Sequence, residues 1–144
     1  MQIGQFTHDL APKKRLTLPA KWRSSLGKKV VITNGLDTSL FVFPLKEWEV
    51  IAEKLASMSF GNADSRQFNR FMLAHAFETD IDAQGRILIP DTLKSFAHLD
   101  GKVVVAGMHS RIELWDEEEW KRYTEKTLHE ADALAGKLSD LGIL

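Results

Sequence analysis

The feature that most constrains this fold is that the sequence states one structural unit twice. Leu10-Ala-Pro-Lys-Lys-Arg15-Leu-Thr-Leu-Pro19 aligns with Ile81-Asp-Ala-Gln-Gly-Arg86-Ile-Leu-Ile-Pro90, 71 residues further on. Val30-Val31-Ile32 then meets Val103-Val104-Val105, Asn34-Gly35 meets Ala106-Gly107, and Glu47-Trp48 meets Glu119-Trp120. A unit of about 45 residues buries too little apolar surface to be stable alone. Two copies closing on one shared core is the economical solution. The expectation is one α+β domain over residues 1–144: a small β-barrel-like core of two pseudo-symmetric tandem halves with flanking helices. The first repeat covers 6–56 and the second 77–121, with a helix-bearing linker at 57–76 and a C-terminal helix within 122–144.

Each copy predicts the same elements in the same order. A short strand enters a tight turn and an apolar strand leaves it, at 15–18 and 86–89. Proline follows at the first helical position, where its missing N–H costs nothing, and opens a short helix at 20–26 or 91–97. A buried strand (30–33, 103–106), a turn and another strand (40–43, 111–115) lead to a longer helix. In copy one that helix covers 45–58, with Trp48, Ile51 and Leu55 at helical spacing. In copy two Asp116 stands as the N-cap and Glu119 three residues on, as in a capping box. Residues 57–65 have turn composition. Phe68, Phe71, Met72 and His75 follow on one helical face, where His75 reads as a core residue, and the last helix is expected to extend through Lys137. Trp48, Trp115 and Trp120 either line an interface or, as such residues more often do, fill core between helix and barrel.

Composition narrows the function classes. No run of about 18 apolar residues exists to cross a membrane, and Met1-Gln2-Ile3-Gly4-Gln5 does not start like a secretory signal. With no cysteine there is neither a disulfide framework nor a thiolate zinc site. His8, His75, His98, His109 and His129 lack ligand spacing, so no metal or other cofactor is expected. Phosphate-loop, G-x-S-x-G and H-E-x-x-H motifs are absent, and turn chemistry accounts for at least one of the near-paired Asp80 and Asp82, so no catalysis and no small-molecule substrate are expected. Charge is more informative. The chain carries a net −1, yet residues 1–35 hold seven Lys/Arg (Lys13, Lys14, Arg15, Lys21, Arg23, Lys28, Lys29) against Asp9 alone. A basic segment on an acidic body focuses positive potential on one region, which suits a polyanion; a solvated charged face is the plain alternative.

The two turns hold the candidate site. In Asp82-Ala83-Gln84-Gly85-Arg86, Asp82 is placed to accept downstream N–H groups and Gly85 to supply a positive φ. Arg86 then either pairs with Asp82 and closes the turn, or presents its planar donor fork to phosphate or guanine. Copy one keeps the arginine without that aspartate: Ala11-Pro12-Lys13-Lys14-Arg15. Pro12 preorganises the turn entry, and Lys14, standing where Gly85 stands, is expected at a strained positive φ. Arg15, Lys13 and Lys14 are therefore the first candidate DNA contacts and Arg86 a sparser second. Lys21 and Arg23 either extend the basic surface or are simply solvated. Asp82, Gly85 and Pro12 are turn-structuring.

The paired D-x-x-G-R-L-x-(I/L/V)-P-type signals, L-x-(L/V)-(Y/F)-P-x-x-E-W in the first half and E-L-W-x-x-x-x-W in the second resemble the MraZ family of bacterial regulators linked to the division and cell-wall gene cluster. Arg66, Arg70, Phe71 and His75 are similar to its linker helix, so the resemblance covers nearly the whole chain. It implies an AbrB-like swapped-hairpin fold within one chain and a ring-shaped homo-oligomer. It also implies cytoplasmic, nucleoid-associated binding to tandem repeats in double-stranded promoter DNA, through arginine turns that map to Arg15 and Arg86. The departures at Ala11 and Lys14 bear on the geometry of the first turn. Repressor and activator stay equally open. A protein-interaction scaffold or antitoxin-like partner binder is the other class; it would bind independently of DNA and survive high salt.

Overall fold

The computed structural model describes residues 1–10 and 14–144. The first half contains β1 (Gln2–Asp9), β2 (Arg15–Thr17), a 3-10 turn at Ala20–Trp22 running into α1 (Arg23–Leu26), β3 (Lys29–Asn34), β4 (Leu40–Pro44) and α2 (Leu45–Ala56). Then α3 (Ala63–Leu73) leads to the second half: β5 (Phe77–Asp80), β6 (Arg86–Leu88), α4 (Asp91–Phe96), β7 (Lys102–His109), β8 (Ile112–Asp116) and α5 (Glu117–Asp140). The two halves repeat one element order.

Their strands are exchanged. A six-stranded antiparallel sheet runs β1-β7-β8-β4-β3-β5, and a separate two-stranded ribbon pairs β2 with β6. Each half thus gives its first strand to the other: β1 pairs with β7 over eight residues, and β5 pairs with β3. The halves also meet at β4–β8 and within the ribbon. Relabelling one half as the other reverses the strand order and leaves it unchanged, which is an internal twofold. Smaller contacts obey it: Leu10 N donates to Gly101 O at 2.7 Å, and its counterpart Ile81 N to Lys28 O at 2.9 Å. Exchange explains why neither half is an independent unit.

One core lies between ribbon and sheet. Leu16, Leu18, Ile87 and Ile89 from the ribbon segments meet Val30, Ile32, Leu40, Val42, Val103, Val105, Ile112 and Leu114 from the sheet, all fully buried. Side chains alternate on a strand, so Leu16 and Ile87 point inward while their neighbours face outward. Truncating either to alanine would cost about 2–5 kcal/mol. The hydrogen-bonded ladder ends at β1 and β5 and is not closed into a barrel.

Several element bounds differ from the sequence expectation, each for a local reason. β7 extends to His109 because β1 supplies a partner along its full length. α3 starts inside the stretch expected to be turn, because the Asn62 side chain caps it by accepting from Ser65 N at 3.0 Å. His75 is not a core residue: it lies beyond the end of α3, exposed, with Nδ1 3.1 Å from Phe71 O. Asp116 caps α5 through Glu119 N at 3.1 Å, but the Glu119 carboxylate turns away to His98 Nδ1 at 2.7 Å, so only half of the capping box forms. Trp115 is buried and in edge contact with Trp120, and Trp48 packs on Phe43.

Candidate nucleic-acid interface

The ribbon brings the two candidate arginines together. In its register Arg15 stands opposite Leu88, Leu16 opposite Ile87, and Thr17 opposite Arg86. Residues directly opposite in an antiparallel pair share a face. Arg15, Thr17, Arg86 and Leu88 therefore form one outward, half-buried face, while Leu16 and Ile87 anchor the other in the core. Arg15 and Arg86 are diagonal neighbours, with Cβ atoms on the order of 7–8 Å apart. Read linearly they are two candidate turns; the β2–β6 pairing puts them on one face.

The turn before Arg86 is closed by its own side chains. Asp82 Oδ1 accepts from Gln84 N at 2.9 Å and Arg86 N at 2.8 Å, and Asp82 N donates to Arg86 O at 3.0 Å. Gly85 has φ 78°, the conformation a tight turn requires there. Arg86 Nε donates to Asp82 Oδ2 at 3.0 Å and Nη2 to Gln84 Oε1 at 3.2 Å. The pairing of Arg86 with Asp82, one of the two readings the sequence allowed, is thus present. It uses Nε and Nη2 and leaves the head on the outward face, partly exposed. The Arg86 backbone N–H above all holds the Asp82 carboxyl below its ordinary range; desolvation, next in size, opposes it, and the Arg86 guanidinium and Gln84 N–H reinforce the lowering.

The turn before Arg15 is built differently. Ala11, Pro12 and Lys13, two of them candidate site residues, lie outside the described residues. Lys14 has φ 62°, the left-handed conformation expected from its match to Gly85. Its ammonium pairs with Asp91 Oδ2 at the start of α4 in the other half, both groups being largely exposed. Among the described residues the Arg15 side chain has neither a hydrogen-bond nor an ion-pair partner. Sequence reasoning missed Asp91 and the outward Thr17. The two-residue alternation of Arg15-Leu16-Thr17 pointed to Thr17, whereas nothing local pointed to Asp91. The twofold reappears in the backbone: Leu18 N donates to Gly85 O at 2.9 Å and Ile89 N to Lys14 O at 3.0 Å.

No group of three or more His, Cys, Asp or Glu among the described residues is arranged to hold a metal ion. No helix among the described residues is long and apolar enough to cross a membrane. A groove of about 720 Å³ lies away from the ribbon between α5 and the β7–β8 face, lined by Trp115, Trp120, Tyr123 and Leu128 among others.

The sequence matches the family described as MraZ protein, antitoxin-like, twice: over residues 1–71 and again over 72–138. The chain belongs to the MraZ family. It is 44% identical over 143 residues to the transcriptional regulator MraZ of Clostridium beijerinckii, covering 99% of this chain and 100% of the relative. Over the same shares of both chains it is 43% identical to the proteins of that name from Moorella thermoacetica and Oenococcus oeni. These MraZ relatives are named as regulators of transcription and not as enzymes, so the expectation of a non-enzymatic chain holds. The two tandem matches correspond to the two halves of the fold.

In this MraZ-family chain the other basic candidates have distinct surroundings. Lys21 is exposed, with Nζ 5.0 Å from the centroid of the Phe6 ring, which itself packs edge-on against Trp22. Arg23 is half-buried, and its Nη2 donates to Leu18 O at 3.3 Å.

Proposed function

We propose that the outward face of the β2–β6 ribbon reads double-stranded DNA, and that the chain is a sequence-specific regulator acting on tandem promoter repeats of a division and cell-wall gene cluster. The observation that carries this reading is the placement of Arg15 and Arg86 on one face of a two-stranded ribbon. Such a ribbon fits the major groove, and arginine forks match guanine O6 and N7 as well as phosphate oxygens. Lys13 and Lys14 add phosphate attraction beside Arg15, and Lys21 lies on the adjoining helix. The fold reading that goes with it is AbrB-like swapped hairpins: the ribbon segments cover the sheet's inner face and contact both edge strands, which makes the core barrel-like.

One ribbon offers few contacts, so useful affinity requires several. A ring of copies facing tandem repeats supplies them through effective concentration. Two unlike apolar surfaces support such assembly. Leu128, Leu134 and Leu138 lie exposed on α5, and Leu36, Phe60 and Phe68 lie exposed around α3 in the other half. Unlike patches favour head-to-tail contacts, which close into rings when the rotation permits. A cytoplasmic, nucleoid-associated location follows from the same reading. A partner-binding scaffold is favoured instead by the aromatic groove beside α5.

The test is a binding titration on a duplex spanning the promoter upstream of the chain's own gene. Arg15→Ala and Arg86→Ala should each stay folded and weaken binding. Log affinity should fall with log salt at about 0.9 per phosphate contacted. A salt slope near zero, or a folded double variant that binds normally, would sink the DNA reading. Partner capture that ignores DNA and salt would favour the scaffold.

A further inference from the structure

Arg23 opens α1 in the first half, yet its guanidinium lies against the turn of the second. A Cβ placed on Gly85 would stand 2.1 Å from Arg23 Cζ and Nε and 2.4 Å from Nη2. The guanidinium therefore fills the volume that any side chain at position 85 would need. It is tied in place on its own half, since Nη2 donates to Leu18 O, and Leu18 N in turn donates to Gly85 O at 2.9 Å. Nε is buried and, among the described residues, has no hydrogen-bond partner. A solvated basic residue would extend its head into water. Arg23 instead gives up hydration to lie on a glycine.

The halves differ in a matched way. By the repeat, Arg23 corresponds to Lys94 and Gly85 to Lys14. The half whose turn has a bare glycine receives a planar guanidinium from across the twofold. The half whose turn has a side chain has a lysine, Lys94, at the matching position, and its Lys14 is held by Asp91. Each turn is thus braced by the opposite half, one by packing and one by an exposed ion pair.

We propose that Arg23 is a positioning residue for the second DNA turn: its guanidinium, packed on Gly85, holds the Asp82–Arg86 loop so that Arg86 projects from the ribbon face in one geometry. The proposal rests on the reading of the ribbon as the DNA surface. It replaces the view of Arg23 as one more phosphate contact, and the two roles have different signatures. A phosphate contact depends on charge, so lysine would serve. A flat brace depends on the planar guanidinium, and lysine would not. A contact adds its effect to that of Arg86, whereas a residue acting through Arg86 does not.

The experiment compares Arg23→Ala, Arg23→Lys, Arg86→Ala and the Arg23→Ala/Arg86→Ala double variant in the full chain. Circular dichroism checks folding. The two readouts are affinity for the promoter duplex and amide exchange at Gln84 and Arg86, whose N–H groups are bonded to Asp82. We expect Arg23→Ala and Arg23→Lys each to weaken binding several-fold and to speed exchange of those two amides about tenfold. In the Arg86→Ala background Arg23→Ala should cause less than a twofold further loss. Full affinity in Arg23→Lys, an additive double variant, or unchanged amide exchange would each overturn the proposal. If Arg86→Ala alone leaves DNA binding intact, the DNA role of this turn fails instead, while faster exchange in Arg23→Ala would still show the brace.

Discussion

The two turns of this chain occupy equivalent places in one pseudo-symmetric fold and are stabilised by different means. The second is self-contained: an aspartate organises the loop, a glycine takes the left-handed position, and the arginine is tied back to the aspartate. The first lacks the aspartate and puts Lys14 in the left-handed position. Its external tie is an exposed ion pair to Asp91. What differs is where charge is spent. In the second turn Asp82 offsets the arginine itself; in the first, Asp91 offsets the lysine, and Arg15 has no acid against it among the described residues. Equal backbone placement therefore does not mean equal potential toward a polyanion.

The sharpest way to break this comparison is to remove each arginine in turn. Arg15→Ala should lower promoter affinity by roughly 5- to 150-fold, since one well-placed fork is worth about 1–3 kcal/mol and about 1.4 kcal/mol is a factor of ten. Arg86→Ala should cost less, because its fork is partly engaged within the turn. Anisotropy titrations at one fixed salt concentration give the ranking. Equal losses would show that the Asp82 pairing does not divert Arg86, and the asymmetry would then be structural only.

The left-handed positions provide the next contrast, read as stability in urea. Gly85→Ala carries a left-handed penalty of roughly 1–2 kcal/mol and also pushes aside the flexible end of Arg23, so a loss of about 1–2 kcal/mol is expected. The penalty should shrink in an Arg23→Ala background, where that volume is vacated. Lys14→Gly removes comparable strain but forfeits an exposed ion pair worth about 0–1 kcal/mol and loosens the unfolded chain. It should stay within about 1 kcal/mol of the parent. A large loss at Lys14 would mean that the Asp91 tie matters more than its exposure suggests.

How much of this was legible in the sequence follows from what is local. The repeat, the element order, the positive φ at Lys14 and the Asp82 turn were all readable, because each depends on a few adjacent residues. Strand exchange was not readable from residues alone. Nothing in Gln2–Asp9 says that it will pair with Lys102–His109 and not with its own half. The joint face of Arg15 and Arg86 depends on a further pairing between the halves, β2 with β6, so the sequence offered two candidate turns where the fold has one shared face. Asp91 was missed, and Arg23 was read as basic surface and not as a neighbour of Gly85, for the same reason, since each lies against the opposite turn across the twofold. His75 was misread because helical spacing was extended past the end of α3.

Asp91 gives a gentler test of the first turn. Asp91→Asn leaves Lys14 in place and removes the acid opposite it. Local potential near Arg15 should rise, so affinity should increase a few-fold, with a salt slope steeper by up to about one. Weaker binding would mean that the ion pair orients Lys14 for its role and does not merely compete with DNA for it.

The smallest effect concerns the second turn and pH. The bonds from Arg86 and Gln84 favour the ionised form of Asp82, so its folded pKa lies below the ordinary value near 3.8. A depressed carboxylate contributes stability that is fully present above the unfolded value and is lost as pH falls through the folded one. Asp82→Asn keeps an acceptor for the two backbone N–H groups but sets an amide N–H against Arg86 Nε. Near neutral pH it should therefore be less stable than the parent, with faster exchange at the Gln84 and Arg86 amides. The gap should stay level down to the ordinary aspartate range and close below it, where the parent takes up the proton. Urea midpoints for both proteins from neutral pH down to about pH 2.5 would trace this. A gap that persists unchanged at the acid end would mean that the loop is held by Gly85 and Arg23 packing, with the Asp82 charge contributing nothing.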